Sequence, residues 1–171
     1  RPKNESQFKT ERTQKKKPRL EKGPIIVAVD TSGSMSGRPM QIAYAVLLQL
    51  LRLARKQKRK VFLMSFSVGA KFLDLSLPRN WMRLKSFLEN RFSGGTDGEE
   101  MLNLSIKMLQ SKTFGMADVL IISDFYFPLP KDSTWKKMLK EHGKGTCFYG
   151  LKIGSTDRLY DTILDKTWNI K

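Results

Sequence analysis

The sequence predicts an open, doubly wound α/β fold, a six-stranded and mostly parallel sheet with one antiparallel edge strand and helices on both faces. Three observations predict it. Residues 25–29 and 119–123 are apolar at nearly every position, as expected of central parallel strands covered on both sides. Short apolar runs alternate with stretches of helical periodicity along most of the chain, the pattern of strand-helix-strand units. Residues 61–67 and 70–76 are separated only by Val68-Gly69, too short for a parallel crossover but sufficient for antiparallel neighbours.

The first strand falls near residues 25–30, where Ile25-Ile26-Val27-Ala28-Val29 leaves no polar face. A long helix follows near 38–57; its end is rich in Arg and Lys, charges that the helix dipole favours there. Strands near 60–67 and 70–76 make the antiparallel pair. Helices near 81–91 and 98–112 flank the loop Ser93-Gly94-Gly95-Thr96-Asp97, whose glycines permit a tight turn and whose Thr96 or Asp97 suits the cap of the second helix. The other central strand lies near 117–123. After it come a helix near 132–142, a strand near 145–152, a helix near 156–165 and a last strand near 167–170.

Before residue 23 the pattern is different. Residues 1–22 hold nine Lys or Arg, three Glu and almost no apolar residues, the composition of a flexible basic linker, so residues 23–171 are expected to form the folded domain. With 171 residues and 40% hydrophobic content, the chain can bury one real core. It begins at Arg1 rather than Met and is expected to be a piece of a longer protein. The single cysteine, Cys147, excludes an internal disulfide and fits a cytoplasmic setting. No apolar stretch reaches the ~18 residues of a spanning helix, and the basic start lacks the apolar centre of a secretory signal. A net charge of +16 attracts polyanions, whether nucleic acid, anionic lipid at a membrane surface or an acidic protein.

Asp30-Thr31-Ser32-Gly33-Ser34 follows the first strand directly and places one carboxylate and two hydroxyls on a turn. Mg²⁺ takes oxygen ligands in near-octahedral geometry and keeps some of its waters, so a site of few charges and neutral hydroxyls suits it. A helix-capping turn is the local alternative for the same residues. Asp124, in Ile121-Ile122-Ser123-Asp124, ends the other buried strand and should emerge beside Asp30. In a doubly wound sheet, ligands bind beyond the carboxyl ends of the strands, where the strand order reverses.

These residues resemble the von Willebrand factor type A (VWA) domain, whose metal-ion-dependent adhesion site reads Asp-x-Ser-x-Ser, then a distant Thr, then a distant Asp. Every position has a counterpart here: Asp30, Ser32, Ser34, Thr96 and Asp124. The resemblance covers roughly residues 24–170 and implies a Rossmann-like VWA fold with Mg²⁺, or Mn²⁺ or Ca²⁺, held by these five residues. Val-Asp-Thr-Ser-Gly-Ser-Met, Gly-Gly-Thr-Asp and Ile-Ser-Asp-Phe behind a basic lead are similar, more narrowly, to the carboxy-terminal domain of the ViaA-type cochaperones. That likeness implies a MoxR-type AAA+ ATPase as partner, with the domain acting as its cochaperone or adaptor.

Around the site, Ser36, Arg38, Gly95, Phe125 and Tyr126 are the expected partner-binding rim, although most rings of Phe125-Tyr126-Phe127 could instead fold onto the core. Arg52, Arg55, Lys56, Lys58, Arg59 and Lys60 form either a solvated helix end or a patch for RNA or anionic lipid, away from the metal face. Asp118 lies at the wrong end of the sheet to help a metal. Cys147 reads as a core residue and His142 as a helix end. Enzyme signatures fail: a nucleophile elbow would need serine where Met35 stands, no phosphate-binding Gly-x-x-x-x-Gly-Lys loop occurs, and one histidine is badly placed for a triad. A phosphotransferase using Asp30 as nucleophile would have a second acid where Ser32 stands.

Overall fold

β1 (Ile25–Asp30) is buried at all six positions because it lies in the middle of the sheet with helices over both faces. The computed structural model describes residues 23–89 and 94–171, so the basic segment 1–22 and the last two residues predicted for helix 81–91 lie outside the described residues. The strands are β1, β2 (Val61–Phe66), β3 (Ala70–Asp74), β4 (Asp118–Ser123), β5 (Phe148–Ile153) and β6 (Lys166–Ile170). They stand in the order β3-β2-β1-β4-β5-β6. Only the β2–β3 pair is antiparallel, so the predicted fold class is the observed one. Among the described residues, no helix is long and apolar enough to cross a membrane.

Alternation along the strands divides the core in two. Val27, Val29, Leu63 and Ile122 pack with Ala43, Leu47 and Leu51 of α1 (Arg38–Lys56). Ile26, Ala28, Met64 and Ile121 face the other way, toward Met101 and Leu102 of α3 (Gly98–Leu109) and Met138 of α4 (Asp132–Gly143). A slip of one residue would exchange the two sets, so register is strongly specified. Each large apolar side chain buried this way contributes about 1.5–3 kcal/mol.

Where the chain departs from the predicted elements, side chains compete with the backbone. Residues 156–165 are no helix; the crossover from β5 to β6 holds only a 3₁₀ turn, Leu159–Thr162. Ser155 Oγ accepts from the Asp157 N–H at 3.1 Å and Asp157 Oδ1 from the Leu159 N–H at 2.8 Å, local turns that displace helical bonding. Asp161 is held there by the buried Lys152, whose Nζ lies 2.9 Å away. Likewise β3 stops at Asp74, whose Oδ1 accepts from the Ser76 N–H at 2.9 Å. The helix predicted over 81–91 starts as a 3₁₀ turn, Pro78–Arg83, before α2 (Leu84–Glu89), because Asn80 and Trp81 donate to the Asp74 and Leu75 carbonyls at 2.8 and 3.0 Å.

The strand order positions the site. From β1 the chain runs outward to β2 and β3, then returns to β4 on the other side of β1. The carboxyl ends of β1 and β4 therefore flank the point where winding reverses, and Asp30 and Asp124 stand at those two ends.

Candidate functional site

Asp30 is fully buried and Asp124 nearly so, an expensive placement for two carboxylates unless something compensates their charge. The backbone N–H of Ser32 donates to Asp30 Oδ1 at 2.9 Å, and Ser123 Oγ donates to Oδ2 at 2.6 Å. Burial pushes the Asp30 carboxyl above its usual range; the Ser123 and Ser32 hydrogen bonds oppose that shift, and the Asp124 charge adds to it. The ionised pair thus needs a cation more than two solvated carboxylates would.

The turn after β1 is hydrogen-bonded to β2. Thr31 donates its N–H to the Phe66 carbonyl at 2.9 Å, and its hydroxyl lies 3.0 Å from that of Ser65. Ser32 and Ser34 bring their hydroxyls within 3.2 Å of each other across a short 3₁₀ turn, Gly33–Met35. Neither hydroxyl is used as a cap. Ser32 makes no side-chain cap bond to the 3₁₀ turn, and the residue capping α1 is Gly37, with φ 81° and no side chain to offer.

Thr96 is brought in by the backbone. The Gly33 N–H donates to the Gly94 carbonyl at 3.1 Å, and the Asp97 N–H donates to the Ser67 carbonyl at 2.5 Å, so the loop before α3 is tied to the turn after β1 and to the end of β2. Asp97 is the N-cap of α3, its Oδ1 accepting from the Glu100 N–H at 2.9 Å. The cap is thereby supplied by Asp97, which leaves the half-buried Thr96 hydroxyl out of that role. Ser93 lies outside the described residues.

The donor set fits a hard cation. Oxygens on one octahedral Mg²⁺ at about 2.1 Å stand about 3 Å apart, close to the separation of the Ser32 and Ser34 hydroxyls. Among the described residues no group of three His, Cys, Asp or Glu could hold a metal, so a cation here would depend on hydroxyls beside its two carboxylates. Thr96 and Asp124, on neighbouring loops, are the further candidate oxygens for such a set.

Two serines escaped the sequence reading. Ser123 bridges Asp30 and the Phe125 N–H, which donates to its Oγ at 2.8 Å. Ser67, fully buried at the end of β2, has no side-chain hydrogen-bond partner among the described residues. The signal was present: serines occupy the carboxyl ends of the two strands that flank β1, at positions where a buried strand ordinarily carries apolar residues.

The rim needs one correction. Ser36, Arg38, Gly95 and Tyr126 are exposed, but Phe125 is 1% exposed and cannot meet a partner. Its backbone takes a left-handed φ of 59°, and its ring packs 5.7 Å from Phe127 and 5.2 Å from Tyr160, centre to centre. Tyr126 stands out at 59% exposure, its N–H donating to Asp124 Oδ1 at 3.2 Å.

The basic cluster lies at the opposite end of the sheet. The Ile25 N–H donates to the Lys60 carbonyl, so the cluster sits beside the start of β1, and Asp30 stands at its end. Arg52, Arg55, Lys56, Lys58 and Lys60 are exposed, while Arg59 is half-buried, with Nε donating to the Gly23 carbonyl at 2.6 Å and its guanidinium 3.7 Å from Asp118. Asp118 is thus an ion-pair anchor at the start of β4. His142 is no ligand either: its Nε2 lies 3.0 Å from Asp165.

Residues 25–126 match the sequence profile of the von Willebrand factor type A domain. The chain is similar to the regulatory protein ViaA of Edwardsiella ictaluri (strain 93-146), with 36% identity over 133 residues, 77% of this chain and 28% of that protein. It therefore spans little more than a quarter of that relative's length. Among solved structures, the conserved hypothetical protein BatB of Bacteroides thetaiotaomicron superimposes with a TM-score of 0.65 at 16% identity, covering 86% of this chain and 90% of that one. The pilus adhesin SpaC of Lactobacillus rhamnosus GG, in an open conformation, superimposes with a TM-score of 0.67 at 14% identity, over 91% of this chain and 29% of that one. At such identities the two structures speak for the fold alone.

Proposed function

Because the chain belongs to the von Willebrand factor type A family, we propose that it is a metal-dependent protein-binding domain and not an enzyme. Asp30, Ser32, Ser34, Thr96 and Asp124 would hold Mg²⁺, or Mn²⁺ or Ca²⁺ in its place. The observation that carries this reading is the convergence of two buried strand-end carboxylates with a pair of hydroxyls 3.2 Å apart that no helix cap employs. When bound, the cation supplies a positive centre only partly compensated by the neutral hydroxyls, to which an acidic side chain of a protein partner can be attracted.

This chain's own residues do the positioning. Ser123 and the Ser32 N–H fix both oxygens of Asp30, the Gly33–Gly94 bond seats the Thr96 loop, and Tyr126, Ser36, Arg38 and Gly95 surround the opening. Similarity to the regulatory protein ViaA supports a cytoplasmic cochaperone or adaptor role with a MoxR-type AAA+ ATPase as partner, the ATP chemistry belonging to that partner.

The test is a pull-down from the source cell with wild type and Thr96→Ala in parallel, each with Mg²⁺ and with EDTA. Capture of the same partners in the wild-type Mg²⁺ lane alone, restored when Mg²⁺ is added back after EDTA, is the expected result. Equal capture in all four lanes would overturn the metal-mediated reading.

A further inference from the structure

At the pole of the sheet opposite Asp30, a cleft of about 310 Å³ opens between the end of α1 and the 3₁₀ turn 78–83. Its two walls differ. One carries Arg55, Lys58, Arg59 and Lys60; the other is Leu75, Pro78 and Trp81. A helix dipole explains the positive charges of the last turn, Arg55 and Lys56, but its effect falls off past the helix end, where Lys58 and Lys60 stand.

These cations are presented by a fixed frame. Lys58 is held at φ 55° between the Lys58 N–H bond to the Arg55 carbonyl at 3.1 Å and the Arg59 N–H bond to Ala54 at 2.8 Å. The Lys60 carbonyl is bound into the sheet by Ile25 at 2.9 Å. Arg55 is parked over the Trp81 ring, 5.3 Å from its centre, and Trp81 is pinned by its Nε1–H to Leu75. Arg59 is spoken for by Asp118, and Asp74, next in the chain to Leu75 of the apolar wall, accepts from Ser76. Among the described residues, no carboxylate pairs with the Lys58 or Lys60 ammonium.

We infer that this cleft binds single-stranded nucleic acid, Lys58 and Lys60 taking phosphates and a base lying against the Arg55 guanidinium that covers Trp81, independently of any metal at Asp30. The volume is that of a small-ligand pocket, and a concave site with one charged and one aromatic wall matches a nucleotide better than a flat lipid surface or an acidic peptide. Charge also continues outside it. Arg52 and Lys56 are exposed on the same helix as Arg55. That continuity suits a polymer rather than a single nucleotide. The five residue steps of β1, at about 3.3 Å each, put its start, beside the basic cluster, about 17 Å from Asp30, which separates the two sites.

The test is fluorescence anisotropy of the full chain with a labelled poly-uridine oligonucleotide of about 20 nucleotides, in EDTA, across a salt series. Lys58→Gln with Lys60→Gln is expected to weaken binding about tenfold at ~100 mM salt and to flatten the log–log salt slope by about 1.4, two single-strand phosphate contacts. Lys137→Gln, exposed on α4 over the other face of the sheet, is expected to leave both unchanged. Three results would overturn the assignment: no binding at low salt, equal affinity of wild type and the double variant, or a loss confined to Lys15→Gln/Lys16→Gln/Lys17→Gln in the basic segment. Binding to phosphatidylglycerol vesicles that falls in the double variant while oligonucleotide binding does not would reassign the cleft to a membrane surface.

Discussion

Ser123 donates to Asp30 across the junction of β4 and β1 at 2.6 Å, and the same oxygen accepts the Phe125 N–H at 2.8 Å. One hydroxyl thus orients a candidate metal ligand and the backbone that follows the other, Asp124. Ser123→Ala leaves a buried N–H without its acceptor, which costs about 1–3 kcal/mol. Loss of a group that orients a ligand typically weakens metal affinity about 10–100-fold. Chemical denaturation and Mg²⁺ titration calorimetry should show both losses together; a stability loss with unchanged Mg²⁺ affinity would show that Ser123 is structural only.

Asp30→Asn should separate stability from function. The folded carboxyl sits above its ordinary value of 3.8, so the group favours the fold at acid pH, and that contribution is lost as pH rises through the folded value. At neutral pH the buried charge is a liability that asparagine removes. The metal-free variant should be more stable than wild type by about 1 kcal/mol near pH 7, with the difference vanishing as pH falls below 3.8, and Mg²⁺ should no longer raise its melting temperature. A Mg²⁺-induced rise equal to wild type would remove Asp30 from the site.

The parts of this architecture legible in the sequence are those where burial is total. β1 and β4 are covered on both faces, so their composition announces them, and a carboxylate ending each is conspicuous against such runs. Val68-Gly69 is likewise decisive, because chain length alone forbids a crossover. What stayed hidden depends on choices that composition does not encode. The left-handed φ of Phe125 sends one ring inward and the next outward, and no pattern in Phe125-Tyr126-Phe127 distinguishes the two. Ser155, Asp157 and Asp161 fit a helical period but spend their side chains on turns and on Lys152, so residues 156–165 form no α-helix. Ser123 was visible yet silent, since a strand-end serine acquires meaning only when the neighbouring strand places Asp30 against it.

The contrast between the two rings yields a prediction of its own. Tyr126→Ser removes an exposed side chain and should change stability by no more than about 0.5 kcal/mol, while reducing capture of the metal-dependent partner. Phe125→Ala empties a core position and should cost about 3–5 kcal/mol. Thermal melts and the pull-down, run on both variants, check the assignment; undiminished capture by Tyr126→Ser would take Tyr126 off the rim.

Gly150 reaches the site from a strand away. It pairs with Ile121 in the β4–β5 register, and a Cβ there would meet Leu164 Cδ1 at 2.7 Å and Phe125 Cζ at 2.9 Å. Both neighbours are packed in the core, so neither can give way freely, and overpacking of this kind costs about 1–3 kcal/mol. Phe125 follows Asp124 directly in the chain, so a displacement of its ring would be passed to that residue. Gly150→Ala is therefore expected to lower stability by that amount and also to weaken Mg²⁺ affinity, although residue 150 touches none of the five ligand candidates. Thermal melts with and without Mg²⁺ read the two effects separately. A destabilised variant whose Mg²⁺ affinity matches wild type would show that the strain is absorbed at Leu164 and does not reach Asp124.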